Sequence, residues 1–281
     1  MRLIILGSGG MLGSEVVELA RKSLVESISV PRTGRGGMNF TGQDLREHPI
    51  LRDLKATDLL VNAVGWIPQK STRSPAVDKK NAFRLNAQLP QRIEQLQDDL
   101  GFSWLQVATD CVYSGSKGEY TESSPKDGEG LYSESKIQGE EFCSGALLIR
   151  SSIIGQGGPR DKGLLSWYRS QPLDSQVFGY TNHFWNGVTT KAFARLAIGV
   201  MQGGVAVPLY QHWLPADITS KANLLRMVRG KVGGAEIVDF QTPVSSNRVL
   251  STDNRKGSDM LWELAGYSAP PTITELLEEY F

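Results

Sequence analysis

An apolar run, RLIIL at residues 2–6, passes directly into GSGGMLG at 7–13, and helical periodicity follows over 14–22 through Val16, Val17, Leu19 and Ala20. Strand, glycine turn and helix in that order point to an α/β fold built around a βα unit. Gly7, Gly10 and Gly13 stand at GxxGxxG spacing. Glycine permits the tight curvature and close approach such a turn needs, and the unpaired N–H groups of the following helix would face a pyrophosphate. The turn therefore predicts a dinucleotide site contacted by Gly7, Gly10, Met11, Leu12 and Gly13.

The alternation recurs in ISV at 28–30, DLLVNAVG at 58–65, a long helical stretch near 76–98, WLQVATD at 104–110, a helix near 131–142 and ALLIR at 146–150. Short apolar strands alternating with helices predict a Rossmann-type, doubly wound parallel sheet covered on both faces. After Arg150 the chain turns glycine- and aromatic-rich, with GQGGPRDKG at 155–163 and YTNHFWNG at 180–187, which signals a smaller lobe over the strands' carboxyl ends. A helical stretch near 189–202 and VAVPLY at 205–210 would return to the main domain. The expected organisation is a dinucleotide-binding domain over 1–154, rejoined by about 189–220 and 234–250. A discontinuous C-terminal substrate lobe takes 155–188, about 221–233 and 251–281.

Charge and cysteine content narrow the partners. Lysine plus arginine equals aspartate plus glutamate, 30 against 30, so the balance gives no sign of a nucleic-acid or anionic-membrane surface. Cys111 and Cys143 are too few for a disulfide framework, and with His48, His183 and His212 scattered no metal site is predicted. The start MRLIILG is too short for a secretory core, and no later stretch approaches the roughly 18 apolar residues of a membrane span. A cytoplasmic protein is expected.

At the end of a second strand an acidic side chain would accept hydrogen bonds from the ribose of NAD. Here SVPRTGRGG at 29–37 has no acid, while Arg32, with Arg35 nearby, can pair with the 2′-phosphate of NADP. NADP is the expected cofactor, ahead of NAD. Asn39 and Phe40 are candidates to flank the adenine, and Asn62, Ala63 and Val64 end a strand where such a sheet meets its ligand.

Hydride transfer to a ketone creates an alkoxide, which calls for a proton donor and a second hydrogen bond to the oxygen. A tyrosine with a lysine four residues later on one helical face supplies the donor, because the ammonium favours the phenolate. Two YxxxK matches occur, Tyr113 with Lys117 and Tyr132 with Lys136. Gly115 and its small neighbours break a helix at the first, whereas YSESKIQGEEF at 132–142 has no breaker between Tyr132 and Lys136. Tyr132 and Lys136 are therefore the candidate pair, Thr109 at the end of VATD the second hydrogen-bonding group, and Asp110 and Cys111 substrate-side neighbours.

GSGGMLG, VNAVG, RLNAQLP, VATDCVYSG, GEYTESSP, YSESKIQGE and LLIRSSIIG follow one another in an order that resembles extended short-chain dehydrogenases, and most of all the dTDP-4-dehydrorhamnose reductase family and its sugar-nucleotide reductase relatives. The resemblance covers roughly 1–155 and continues loosely through HFWNGVTT at 183–190. It implies NAD(P)H-dependent reduction of a 4-keto sugar nucleotide, with Thr109, Tyr132 and Lys136 matching the catalytic triad and Asn86 matching the asparagine that positions the lysine. Ala108 stands where the family often has serine, and Asn39 where it commonly has aspartate. A homodimer remains open.

Three other readings share the motifs. A sugar-nucleotide dehydratase resembles a Thr-Asp-Glu run, whereas this chain has Thr109, Asp110 and Cys111, and a thiol needs a strongly lowered pKa to serve as the base. An epimerase would reuse the same triad and consume no cofactor overall. A non-catalytic NADP-binding regulatory subunit would not need Tyr132 and Lys136. For the substrate, Trp185 offers an aromatic surface and Asn186 an amide for hydroxyls, while Arg160 and Lys162 are candidates for the diphosphate.

Overall fold

The computed structural model describes residues 1–33, 36–40, 44–72, 74–158, 162–205 and 209–281. The apolar runs form β1 (Leu3–Leu6), β2 (Ser27–Val30), β3 (Leu59–Asn62), β4 (Ser103–Ala108) and β5 (Leu147–Arg150). Between them lie α1 (Met11–Lys22), the short α2 (Pro49–Arg52), α3 (Pro75–Phe83), α4 (Leu89–Leu100) and α5 (Leu131–Glu140). The chain continues through β6 (Ile153–Ile154), α6 (Leu164–Arg169), β7 (Gln176–Tyr180), β8 (His183–Trp185), β9 (Val188–Thr189), α7 (Thr190–Gly203) and β10 (Leu209–His212). The remainder is β11 (Thr219–Ser220), α8 (Lys221–Val232), β12 (Glu236–Phe240), β13 (Ser246–Asn247), α9 (Arg255–Leu264) and α10 (Ile273–Tyr280).

Six strands form one parallel sheet in the order β10-β5-β4-β3-β1-β2. Successive side chains of a strand point to opposite faces, so Leu3 and Ile5 join Leu59, Val61 and Leu105 under α1, α7 and α9, while Ile4, Leu6, Leu60 and Trp104 pack against Leu51 of α2 and Ile93 and Leu96 of α4. Each such side chain contributes about 1.5–3 kcal/mol when fully buried. Chain direction across the sheet reverses between β1 and β3, and their carboxyl ends open the crevice where a doubly wound sheet holds its ligand.

Two segments depart from the expected organisation. The expectation that about 234–250 rejoins the dinucleotide-binding domain is not met: β12 pairs in parallel with β7 in a separate two-stranded sheet, and β13 joins β8. Strands of a doubly wound sheet are apolar on both faces; β1, β3 and β5 are buried at all four positions, whereas in β12 only Ile237 is buried. Ile237 instead packs with Leu165, Tyr168, Val177, Leu224 and Val228 in the core of the smaller lobe. Conversely, α9 lies in the stretch 251–281 expected in the lobe, yet it places Leu261 and Trp262 in the main core, with the Trp262 ring 4.1 Å from that of Trp213. No helix among the described residues is long and apolar enough to cross a membrane.

Candidate active site

The glycine turn is shaped by contacts that exclude side chains. Gly7 has φ +79, a left-handed conformation that favours glycine, and sits against Ala63 and Val64 at the end of β3. A Cβ on Gly13 would overlap the Gly7 carbonyl, which accepts a 2.8 Å hydrogen bond from Gly10 N–H. Gly9, by contrast, has open space where a Cβ would stand. Gly10 precedes helix α1, which has no side-chain cap and no acidic residue in its first turn, so its first N–H groups and partial positive charge are available to an anion. Leu12 is buried in the core, leaving its backbone to serve the turn, and Arg32 is exposed just after β2. Arg35 lies outside the described residues.

Pro90 stands inside the stretch expected as one helix. Proline lacks an N–H, and its ring collides with the carbonyl four residues back, here that of Asn86. The helix widens into a π turn over Arg84–Gln88, between α3 and α4. Helix α5 then approaches so closely that a Cβ on Gly139 would overlap the Asn86 carbonyl oxygen. This contact brings the buried Asn86 amide to Ser135 Oγ, to which Nδ2 donates at 3.0 Å; Nδ2 also donates to the Trp66 carbonyl at 3.1 Å, and Oδ1 accepts from Trp66 N–H at 2.8 Å. A Cβ on Gly65 would lie 3.4 Å from Asn86 Oδ1 and 3.6 Å from Lys136 Nζ, so amide and ammonium both face the end of β3.

Lys136 is 9% exposed, with Nζ a long 3.5 Å from the Val107 carbonyl. Burial pushes its pKa down and the nearby Glu140 charge opposes this. Burial raises the Tyr132 phenol, helped by Cys111 and Asp110, while hydrogen bonding with Thr109 acts the other way. Tyr132 is therefore held as the protonated phenol, the form a proton donor needs. The Thr109 hydroxyl accepts from Cys111 N–H and donates to Asp110 Oδ1, both at 3.2 Å, so rotation about its Cβ–Oγ1 bond would redirect its proton. The Cys111 thiol is pushed up to about 12 by burial and by the Asp110 charge.

The competing tyrosine has a different environment. Tyr113 follows a short turn over Asp110–Val112 and is fully buried, its ring stacked 4.4 Å from that of Tyr120. Its hydroxyl donates to the Thr121 carbonyl at 2.9 Å and accepts from Arg150 at 2.8 Å. The same guanidinium donates to His212 Nε2 at 2.8 Å and pairs with Glu140. Carbonyls of Tyr120 and Ser251 lie against His212 Nδ1; since carbonyls only accept and arginine only donates, the proton sits on Nδ1. Burial and the Arg150 charge push His212 down to about 4, keeping it neutral.

Other predicted residues are taken up by packing. Asn62 donates to Gln106 Oε1 at 2.8 Å and accepts from Val64 N–H at 3.2 Å, fixing the strand end beside Ala63. The Phe40 ring packs in the core with Met38 and Leu45 rather than facing an adenine, while Asn39 is exposed. Both ends of the Asn186 amide bond the Leu250 backbone, at 2.7 and 3.0 Å, so it ties two lobe segments together instead of offering its amide to hydroxyls. Trp185 is 4% exposed and donates to Ser152 Oγ at 2.8 Å. Arg160 lies outside the described residues and Lys162 is exposed. Sequence reasoning missed Ser135, which meets Asn86 and carried a local signal by lying inside YSESK.

A parallel sheet with a glycine turn at its reversal point and a helical tyrosine-lysine pair define the Rossmann-type, extended short-chain dehydrogenase/reductase class. The family model described as RmlD substrate binding domain matches residues 1–157, and the chain belongs to that family. The dTDP-4-dehydrorhamnose reductase of Streptomyces griseus is 27% identical over 166 residues, 56% of this chain and 52% of that relative. The chain thus spans about half the length of the curated relatives it matches. The solved dTDP-4-dehydrorhamnose reductase of Bacillus anthracis, in complex with NADP, shares the fold with a TM-score of 0.79 at 14% identity, over 100% of this chain and 98% of that one. MoeE5 in complex with UDP-glucuronic acid and NAD gives 0.71 at 16% identity, over 99% and 97%.

Proposed function

We propose that the chain uses NADPH to reduce the keto group of a 4-keto, 6-deoxy sugar nucleotide in surface-polysaccharide or deoxysugar biosynthesis. The observation that carries the reading is the gathering of Tyr132, Lys136, Asn86 and Thr109 at the carboxyl ends of β3 and β4, alongside a glycine turn whose helix amides are uncapped. That turn suits a dinucleotide, since Gly7 and Gly13 remove the side chains that would block the backbone's approach and Gly9 leaves space above it. The fold relatives support the two kinds of ligand separately, one in complex with NADP and MoeE5 in complex with UDP-glucuronic acid and NAD.

The turn of Gly7, Gly10 and Gly13 would hold NADPH, which would supply the hydride that the carbonyl carbon needs. Tyr132 donates its phenolic proton to the carbonyl oxygen, and Lys136, one helical turn on, stabilises the phenolate left behind. Thr109 gives the oxygen its second hydrogen bond. Asn86 holds Trp66 and Ser135, and with them the backbone around the lysine. Cys111 stays a thiol, which disfavours dehydration through a base at that position.

The direct test is to offer a panel of 4-keto sugar nucleotides and follow NADPH alongside the sugar product. One NADPH is expected to be consumed for each sugar reduced. Interconversion of two sugars without net consumption would mark an epimerase, and NADPH binding with no turnover of any member would leave a regulatory subunit. Cofactor choice rests on Arg32: Arg32→Ala is expected to weaken NADPH about 10- to 100-fold and spare NADH, the effect of losing a charge-assisted pair worth about 1.5–3 kcal/mol. Equal weakening of both cofactors in a binding titration would remove the NADP assignment.

A further inference from the structure

Three reacting groups stand on two separate elements, Tyr132 and Lys136 on α5 and Thr109 at the head of the turn after β4. One buried side chain joins the two. Arg150 ends β5 in register with Ala108, the residue before Thr109, and with His212 on β10. Its guanidinium donates at 2.8 Å to the hydroxyl of Tyr113, just past that turn, and pairs with Glu140 on α5. Through Arg150, Glu140 ties the helix of the proton donor to the turn of the second hydrogen-bonding group.

The same carboxylate shares a helix face with the lysine. Residues four apart on a helix are neighbours on its surface, so Glu140 stands one turn beyond Lys136, as Lys136 stands one turn beyond Tyr132. The Glu140 side chain is 4% exposed and Lys136 9%, so solvent and salt screen the two charges little. The other groups around Lys136 are the Val107 carbonyl of β4, the Asn86 amide on the same side of Gly65, and the thiols of Cys111 and Cys143. Burial pushes both thiols up, which keeps them neutral. The charge of Glu140 is then what opposes burial at the ammonium. Away from Lys136, Glu140 meets Arg150 and, at 2.7 Å, Lys126 of the loop before α5, and these two cations fix the carboxylate in place.

We propose that Glu140 is a positioning residue for the reduction: one turn beyond Lys136, its buried carboxylate keeps the lysine charged while Arg150 holds the helix to the turn of Thr109. This rests on the reading of the chain as a reductase that uses Tyr132. Proton donation leaves a phenolate that a neutral lysine cannot stabilise, so turnover falls as pH rises through the titration of Lys136. Without the Glu140 charge that fall moves to lower pH, because burial and the unmatched cations Arg150 and Lys126 all act against the ammonium.

The lysine can be read without turnover by following its Cε resonance against pH in the whole chain labelled with isotopic lysine, using Lys136→Gln to assign the signal. Glu140→Gln is expected to lower the Lys136 midpoint by about one pH unit, and to move the basic limb of the NADPH-oxidation profile by the same amount. Glu140→Asp, which keeps the charge, should recover most of that shift. Lys126→Gln has the opposite sign, an upward move of about a third of a unit, since it unmasks the carboxylate and leaves the Arg150 pair intact. This last variant decides the matter should an unpaired Arg150 prevent Glu140→Gln from folding. A Lys136 midpoint unmoved in every variant that folds overturns the proposal. So does a shift in Glu140→Asp as large as in Glu140→Gln, which would mark a loss of shape rather than of charge. A resonance that moves as expected in a chain that reduces no keto sugar supports the action of Glu140 on Lys136 and ends the reductase reading. A keto sugar reduced with one and the same basic limb in wild type and variants keeps the reductase reading and ends the proposal.

Discussion

Tyr132→Phe is expected to lower the rate of keto-sugar reduction by about 100-fold or more, the range general acid catalysis supplies, while NADPH affinity stays nearly unchanged. The substitution removes the phenolic proton and keeps the ring, so binding and chemistry separate. Lys136→Ala should lower turnover and also weaken the cofactor, because the ammonium faces the end of β3 together with Asn86 Oδ1. Tyr113→Phe should leave the rate within a few-fold of wild type. Its hydroxyl sits among Arg150, His212 and the Thr121 carbonyl, so the loss is about 1 kcal/mol of stability, the usual worth of a hydrogen bond. Single-turnover NADPH oxidation by the three variants decides the matter: an inactive Tyr113→Phe beside an active Tyr132→Phe would reverse the assignment.

Arg150→Met should destabilise the protein by about 3–5 kcal/mol, the usual result of stripping one partner from a buried ion pair. Arg150 is fully buried at the end of β5 and the Glu140 side chain is 4% exposed, so among the described residues the carboxylate would keep Lys126, at 2.7 Å, as its ion-pair partner. The guanidinium also lies between the rings of Tyr113 and Tyr210, 5.0 and 4.8 Å from their centroids. Methionine of similar length fills the space, which isolates the charge from the cavity. Denaturant unfolding measures the change; a loss below about 1 kcal/mol, the level of an exposed pair, would show that this network does not hold β5 to α5. Since Glu140 stands four residues after Lys136 on α5, the same cluster anchors the helix that carries the reacting pair.

Much of the Rossmann half was legible because its signals are local. The βα unit around Gly7 and Gly13 follows from apolar period and from the backbone conformations only glycine allows. The choice of Tyr132 over Tyr113 came from Gly115 breaking one helix and nothing breaking the other. Pro90 was visible as well, yet its consequence was not: whether a helix kinks, ends or widens at a proline depends on what packs against the freed carbonyl, and here that is Gly139, on another helix. The placement of β12 and α9 failed for a related reason, since an apolar stripe states that a face is buried without stating against which partner.

What the sequence alone determined was the order of strands and helices, the glycine turn, the membership of Tyr132 and Lys136 in one helical face and the absence of an acid after β2. Tertiary structure alone decided the rest of the site. Asn86 meets Ser135 across 49 residues, Arg150 meets Tyr113 across 37, and Arg248 reaches the Tyr113 carbonyl across 135. No local propensity encodes such pairs. Their geometry is set by the sheet register and by the few places, such as Gly139 against Asn86, where one backbone can approach another. Buried polar groups must then find partners wherever that packing leaves them, because an unsatisfied one is costly.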